Sequence, residues 1–313
     1  MCDTIAIIIA LYNGAEYIEK QLESLLFQTQ KIDAVIVGDD GSDDNSVEIV
    51  SIFIEKYDLS ETWKVVENQQ NRGHAGNFMA LCEMVDADFI FFCDQDDIWM
   101  PNKISSMVSI MKNNEQIHFL YGDVINTCEP GKQCITESAN YDKSVTRISF
   151  SEENYFFKGL GCASCIRGAF MKNVLSYWTD GWEHDMFFWA CAIMTNSGYK
   201  YNYPVIWRRI HEKNASIKGE KTLEGRAKQV ELSLARPISM RRLLKNENIK
   251  DDTKTEFIDE YESVLKRREE ALKRKKPLLA VTNLFGGRAK FYLHKSKGVL
   301  LDVFLIIFKR YSM

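Results

Sequence analysis

The chain has 313 residues, 45% hydrophobic and 27% charged, with eight cysteines and a formal net charge of −4. This length and composition fit an ordinary soluble globular protein with a substantial core, as one large domain or a domain plus an extension. Charge is uneven: residues 1–204 hold 14 Lys and Arg against 30 Asp and Glu, and residues 205–313 hold 26 against 14, which suggests an anionic neighbour, membrane or nucleic acid, with solvated Lys-rich helices as the alternative. Met1 leads straight into "DTIAIIIALYN" with no basic n-region or small-residue cleavage site, so a cytoplasmic protein is expected. The single CxxC, Cys162 to Cys165, lacks the second pair a structural zinc site needs, and reduced thiols are expected throughout.

"TIAIIIALY" (4–12) is a continuous apolar run, as in a strand covered on both faces. Residues 14–29 follow with helical spacing, Tyr17, Ile18, Leu22, Leu25 and Leu26 on one side. "DAVIVGDDGS" (33–42) predicts a second strand, and 44–57 a helix capped by Ser42, Asp43 or Asp44. A strand at 63–68, a helix at 76–85 and a strand at 88–94 complete the alternation. A helix at 102–113 and a strand at 118–124 come next. After an irregular polar stretch (126–147), the spacing predicts a strand and helix within 160–175, a helix over 182–198 and a strand entering the loop "RRIHEKNAS". Residues 222–276 predict charged helices. The alternation implies βαβ units and a parallel sheet, whose ligands bind beyond the strands' carboxyl ends. Tyr12-Asn13, Asp39-Asp40, Asn71-Arg72 and Asp94–Asp97 all lie at such ends.

"CDQDDIWMP" (93–101) brings three carboxylates in four positions to a strand tip. Hard divalent cations take carboxylate oxygens, and Mg²⁺ often bridges carboxylates to a substrate phosphate. Asp94 and Asp96 in an extended segment face the same way. The bland alternative is an acidic turn in which Asp97 caps the helix near Pro101. Convergence of four polar clusters on one rim favours a metal and diphosphate site.

These motifs, "IAIIIALYNGAEYIEKQLESLLFQT", "VIVGDDGSDDNS", "NRGHAGN" and "FFCDQDDIWMPNKI", together resemble glycosyltransferase family two, whose members have the GT-A fold. The "CDQDDIWMPNKI" wording and "EHDMFFW…RRIHEKNAS" are similar to its bacterial rhamnosyltransferase-like branch. The resemblance covers residues 4–217 and implies an α/β GT-A domain over 1–217, followed by a basic helical extension over 218–313. It also implies an inverting, metal-dependent transfer of a sugar, rhamnose by the branch, from a dTDP- or UDP-sugar to a glycan or lipid-linked acceptor in surface polysaccharide synthesis. Tyr12, Asp39, Asp40, Arg72, Asn77 and Asp94 would bind the nucleotide; "ALYN" here replaces the usual "TYN", so Ala10 offers no hydroxyl. Asp96, Asp94 and His211 would hold Mn²⁺ or Mg²⁺. Asp185 of "HDMFFW" would be the general base. His184, Trp182, Arg208 and Arg209 would meet acceptor or phosphate; a helix cap is the alternative for His184 and Asp185, and core packing for Trp182 and Trp189.

A nucleotidyltransferase is the enzymatic rival, but "ALYNGAEYIEK" lacks its Gly-rich phosphate loop. A non-catalytic nucleotide-sugar-binding subunit is the other. No nucleic-acid partner is expected. The tail "GVLLDVFLIIFKRYSM" (298–313) is too short and interrupted to span a bilayer. With "KRKKP" and "GRAKFYLHKSK" upstream it would lie on an anionic inner membrane face as a peripheral segment. Alternatively it docks on the protein or on a second subunit of a homodimer.

Overall fold

A computed structural model of the chain describes residues 3–129, 132–133, 141–211, 222–285 and 296–308. The described part divides into two units. The first comprises 1–149, 157–176 and 183–212, and the second 150–156, 177–182 and 213–313. Two short upstream segments also belong to the second unit.

In the first unit the chain runs β1 (Ile5–Leu11), α1 (Ile18–Leu26), β2 (Ala34–Asp39), α2 (Ser46–Lys56), β3 (Trp63–Glu67), α3 (Gly73–Met84), β4 (Phe89–Asp94), β5 (Ile98–Trp99), α4 (Lys103–Lys112), β6 (Phe119–Glu129), β7 (Lys132–Gln133), β8 (Val145–Arg147), β9 (Ser164–Arg167), α5 (Gly168–Leu175), α6 (His184–Met194) and β10 (Gly198–Arg209). One sheet carries the order β3-β2-β1-β4-β9-β6-β10-β5, with β7 on β6 and β8 on β10. Strand β1 is buried along its whole length, as its unbroken apolar run demands. Ile5, Ile7, Ile9 and Leu11 share one core cluster with Leu22, Leu25, Val50 and Phe53. On the opposite face Phe92 meets Phe78 of α3 and Phe188 of α6. Each such side chain contributes about 1.5–3 kcal/mol by leaving water.

Pairs β1·β2, β1·β4 and β2·β3 are parallel, as the alternation predicts. The sheet is nonetheless mixed: β9 inserts antiparallel between β4 and β6, and β5 runs antiparallel to β10. Since β6 and β10 are mutually parallel and β9 is antiparallel to both β4 and β6, the carboxyl ends of β1–β4, β6 and β10 all face one rim.

Two expected caps take other roles. Helix α2 starts at Ser46 without a side-chain cap bond, because Asp44 accepts from the backbone N–H groups of Ala15 and Ser46 and from the Ser46 hydroxyl. Asp97 does not cap α4; it turns inward and accepts from the Arg209 N–H at 3.2 Å.

The second unit is helical: α7 (Leu223–Ser233), α8 (Ala235–Asn246), α9 (Asp252–Lys273), α10 (Pro277–Phe285) and α11 (Ser296–Phe308). Thr222 and Asp251 cap α7 and α9 by accepting from the N–H groups of Gly225 and Lys254. Helix α9 buries Phe257, Ile258, Tyr261, Val264 and Leu265, one stripe at helical spacing. Phe257 and Tyr261 meet Tyr155 from the 150–156 segment. Trp182, also in this unit, is buried beneath the Arg236 guanidinium.

Candidate active site

The carboxylates of β4 and the turn after it sit where the parallel strands end, with Asp94 paired in register with Ala10 of β1. Each is held by a different neighbour. Asp94 Oδ1 lies 3.2 Å from Nε2 of His74 in the first turn of α3. Asp96 Oδ2 lies 2.8 Å from Nε2 of His211, just past β10. The His211 ring stacks on Tyr17 at 4.4 Å, and the Arg209 guanidinium lies 5.1 Å from the same ring centroid. Between the acids, Gln95 grips the first loop with both amide atoms: Oε1 accepts from the Tyr12 N–H at 2.8 Å and Nε2 donates to the Tyr12 carbonyl at 3.0 Å. That leaves the exposed Tyr12 ring at the rim on a fixed backbone.

Crowding sets the electrostatics. Burial would raise Asp94, but the hydrogen bond and charge of His74 prevail and hold it at about 2. For His74 burial pulls downward, and Asp94, helped by Glu183 and Asp185, raises the imidazole to about 9. Asp96 is pushed up by burial and by the Asp94 charge, against the pull of His211. Asp97, buried and facing both acids, rises to about 7. Beneath them Lys103 is fully buried; its Nζ donates to the Cys162 carbonyl at 2.5 Å and lies 3.2 Å from the Trp99 ring centroid. Burial lowers this ammonium to about 8.

The β2 end is tied up by the chain itself. Asp39 accepts from the N–H groups of Gly41 and Ser42 at 3.0 Å and from the Ser42 hydroxyl at 2.5 Å. Asp40 accepts from the Arg72 N–H at 2.8 Å and the Asn68 amide at 2.9 Å. Asn77 is 2% exposed; it donates to the Gly38 carbonyl at 2.7 Å and accepts from Asn68 at 3.0 Å. Asn77 therefore braces this strand end. Arg72 is engaged here through its backbone, with its side chain exposed.

The other wall is the amino end of α6. Asp185 stands in its first turn, where the helix dipole favours a carboxylate. Burial outweighs that: opposed by the Met186 N–H at 2.7 Å and reinforced by Glu183 and Asp94, it raises Asp185 to about 6. The approach is permitted by Gly161, where a Cβ would fall 2.7 Å from His184 Nε2 and 3.0 Å from Asp185 Cβ. His184 itself is buried, stacked on Phe78 at 4.0 Å, with neither ring nitrogen hydrogen-bonded. Burial and the His74 charge push it down to about 3. A neutral, enclosed imidazole carries no charge to offer a phosphate, and this ring packs against Phe78. Trp189 is likewise core, between Tyr121 and Phe157. Of the two adjacent arginines on β10, Arg209 lies over the Tyr17 ring on which His211 stacks.

A family model described as "Glycosyl transferase family 2" matches residues 6–172, more than half the chain. The chain belongs to this family. The dTDP-rhamnosyl transferase RfbG of Shigella flexneri is 30% identical over 220 residues, spanning 66% of this chain and 72% of that one. The UDP-Glc:alpha-D-GlcNAc-diphosphoundecaprenol beta-1,3-glucosyltransferase WfgD of Escherichia coli is 26% identical over 223 residues, spanning 70% and 81%. Among solved structures, S. aureus TarS 1-349 in complex with UDP-GlcNAc aligns over 99% of this chain and 92% of its own, with a TM-score of 0.63 at 14% identity. The mannosyltransferase PcManGT from Pyrobaculum calidifontis, in complex with GDP-Man and Mn2+, aligns over 100% and 88%, with a TM-score of 0.58 at 12% identity. The fold is GT-A, and the protein is a glycosyltransferase.

The donor set of this family 2 glycosyltransferase fits a hard divalent cation. Asp94, Asp97 and Cys162 bring one ligand atom each within 4.8 Å of one another, and Asp96 with His211 stands beside them. Burial drives the Cys162 thiol well above its ordinary range, so it supplies no thiolate for a soft metal, whereas carboxylate oxygens and an imidazole suit Mn²⁺ or Mg²⁺. Three members of the site escaped the motif spacing. His74 meets Asp94 only because β4 lies beside β1. Gln95 lies inside the acidic motif yet binds backbone. Gly161 arrives through the antiparallel β9 insertion. The one available signal was the glycine in "LGCASC", a small residue ahead of a short strand.

Proposed function

We propose that the chain is an inverting glycosyltransferase that moves a sugar from a nucleoside diphosphate to a hydroxyl of a glycan or lipid-linked glycan in surface polysaccharide synthesis. One observation supports this: the amino end of α6, packed against Gly161, holds the Asp185 carboxylate near Asp94, where burial and the neighbouring acids Glu183 and Asp94 raise it to about 6. A carboxyl titrating at about 6 is mostly ionised near neutrality and retains enough basicity to accept a hydroxyl proton. The acceptor oxygen forms its bond to the anomeric carbon as the carbon–phosphate oxygen bond breaks on the opposite face. The proton goes to Asp185 and the configuration inverts.

Asp94, Asp96 and His211 would hold the divalent ion, which when bound offsets negative charge on the departing diphosphate. Arg209, braced on Tyr17, adds fixed positive charge nearby, and Tyr12 offers its exposed ring at the nucleotide end. The Gln95 clamp keeps Tyr12 and the acidic turn in one geometry. Names among the relatives support dTDP-rhamnose or UDP-glucose as donor and a diphosphoundecaprenol-linked acceptor. The protein then works at the cytoplasmic face of the plasma membrane.

The test is a thermal-shift panel of dTDP-rhamnose, UDP-glucose, UDP-GlcNAc and GDP-mannose, each with and without Mn²⁺ or Mg²⁺. One donor is expected to stabilise the wild type by about 3 kcal/mol at a hundredfold excess over Kd, with most of the shift lost without metal or in Asp96→Asn. No stabilisation by any sugar nucleotide with metal would overturn the proposal.

A further inference from the structure

Helix α11 carries apolar side chains on two faces. Asp302, Leu305 and Ile306 are buried within the second unit, whereas Leu300, Phe304, Ile307 and Phe308 recur at i, i+4, i+7 and i+8 and are 39–60% exposed. The Phe304 and Phe308 rings lie together, 4.6 Å between centroids. Leu278 at the start of α10, the helix packed beside α11, is 82% exposed. Residues that the fold could have turned inward thus form an outward apolar face.

The sequence that carries this face is almost uniformly basic. Residues 273–313 contain ten Lys and Arg and a single acid, Asp302. That acid is internal: its carboxylate meets Arg226 Nε at 2.5 Å and Arg268 Nε at 2.7 Å. Glutamates of α7 and α9 take up part of the charge of Lys273, Arg274 and Lys276. No carboxylate from the tail itself is turned outward to balance the rest. Much of "GRAKFYLHKSK" lies outside the described residues and enters here only as sequence.

We infer that the outward apolar residues of α10 and α11 dock on an anionic lipid bilayer, with Leu278, Leu300, Phe304, Ile307 and Phe308 at the headgroup–acyl boundary, a surface whose charge complements the basic sequence of 273–313. An apolar stripe bordered by cations is the pattern of an interfacial helix. Neither helix is long and apolar enough to cross a membrane, so both lie along it. A two-fold contact with a second copy would bring the same cations together, which disfavours that occupant. The inference concerns the second unit alone and requires no particular donor or reaction.

The test is co-sedimentation of the full chain with vesicles of phosphatidylcholine, pure or with about one third phosphatidylglycerol. Binding is expected to be at least tenfold stronger to the anionic vesicles and to weaken with salt. The double variant Phe304→Ser, Phe308→Ser should lose about tenfold or more of it while melting like the parent, since both rings are exposed. Leu278→Ser with Leu300→Ser provides an independent pair. Failure of the full chain to sediment with anionic vesicles would overturn the inference, as would undiminished binding by both double variants. So would a dimer in size-exclusion chromatography that either pair dissociates, because the face would then belong to a second copy. Sedimentation needs no turnover, so such a failure leaves the proposed reaction standing.

Discussion

Asp185, the proposed base, would let catalysis and stability be separated at a single position. Its carboxyl is raised by burial to about 6, so the folded state binds this proton more tightly than the unfolded chain does. At pH 8 the group is ionised in both states and its burial costs stability; as pH falls through 6 that cost disappears. Asp185→Asn should therefore lower kcat by a hundredfold or more while stabilising the fold at pH 8 by about 1–3 kcal/mol, a gain that vanishes below about pH 4. The wild-type kcat/KM should show an acidic limb near pH 6, read from a pH–rate profile beside chemical unfolding at two pH values. Wild-type turnover in Asp185→Asn would remove this side chain from the mechanism. His74 belongs to the same scale: it keeps Asp94 ionised from the amino end of a neighbouring helix, work that no motif in "NRGHAGN" announces.

Elements meet at glycines. A methyl group at Gly161 would press on His184 and Asp185 at the start of α6, so Gly161→Ala should displace the base and cost kcat tenfold or more. Because the pressure falls on side chains, stability should drop by only about 1–2 kcal/mol. Equal kcat in this variant, measured at saturating substrate, would mean α6 has room to shift. The same junction shows where the sequence is readable. Strands β1, β2 and β4 are apolar runs that end in polar residues, and both the runs and their shared rim could be found from spacing alone. "SCIR" of β9 is four residues long and pairs Cys165 with both Phe91 and Leu120, partners 74 and 45 positions away that no local period encodes. The fold also encloses His184 and Trp182, and their place beside a motif gives no sign of that burial.

For the whole molecule, the uneven charge has two different origins. The acidic half concentrates carboxylates at a rim where a cation would relieve their repulsion, while the basic half keeps its last acid inside. Asp302 neutralises Arg226 and Arg268 in the interior, and Asp302→Ala should strand both guanidiniums and destabilise the second unit by about 3–5 kcal/mol. The readout is an earlier loss of helical circular dichroism on heating, with the exposed Phe304→Ser as control. An unchanged melt would show the triad to be replaceable. In sequence this aspartate appeared as an interruption of an apolar tail, and only the fold shows its two partners.

The helical unit is stitched from three separate lengths of the polypeptide, with Tyr155 and Trp182 contributed from upstream. It is therefore no detachable appendage. Shortening the gene product after residue 212 would unroof those aromatic rings, so a soluble minimal version has to be trimmed from the outer helices inward, never at the apparent end of the sheet.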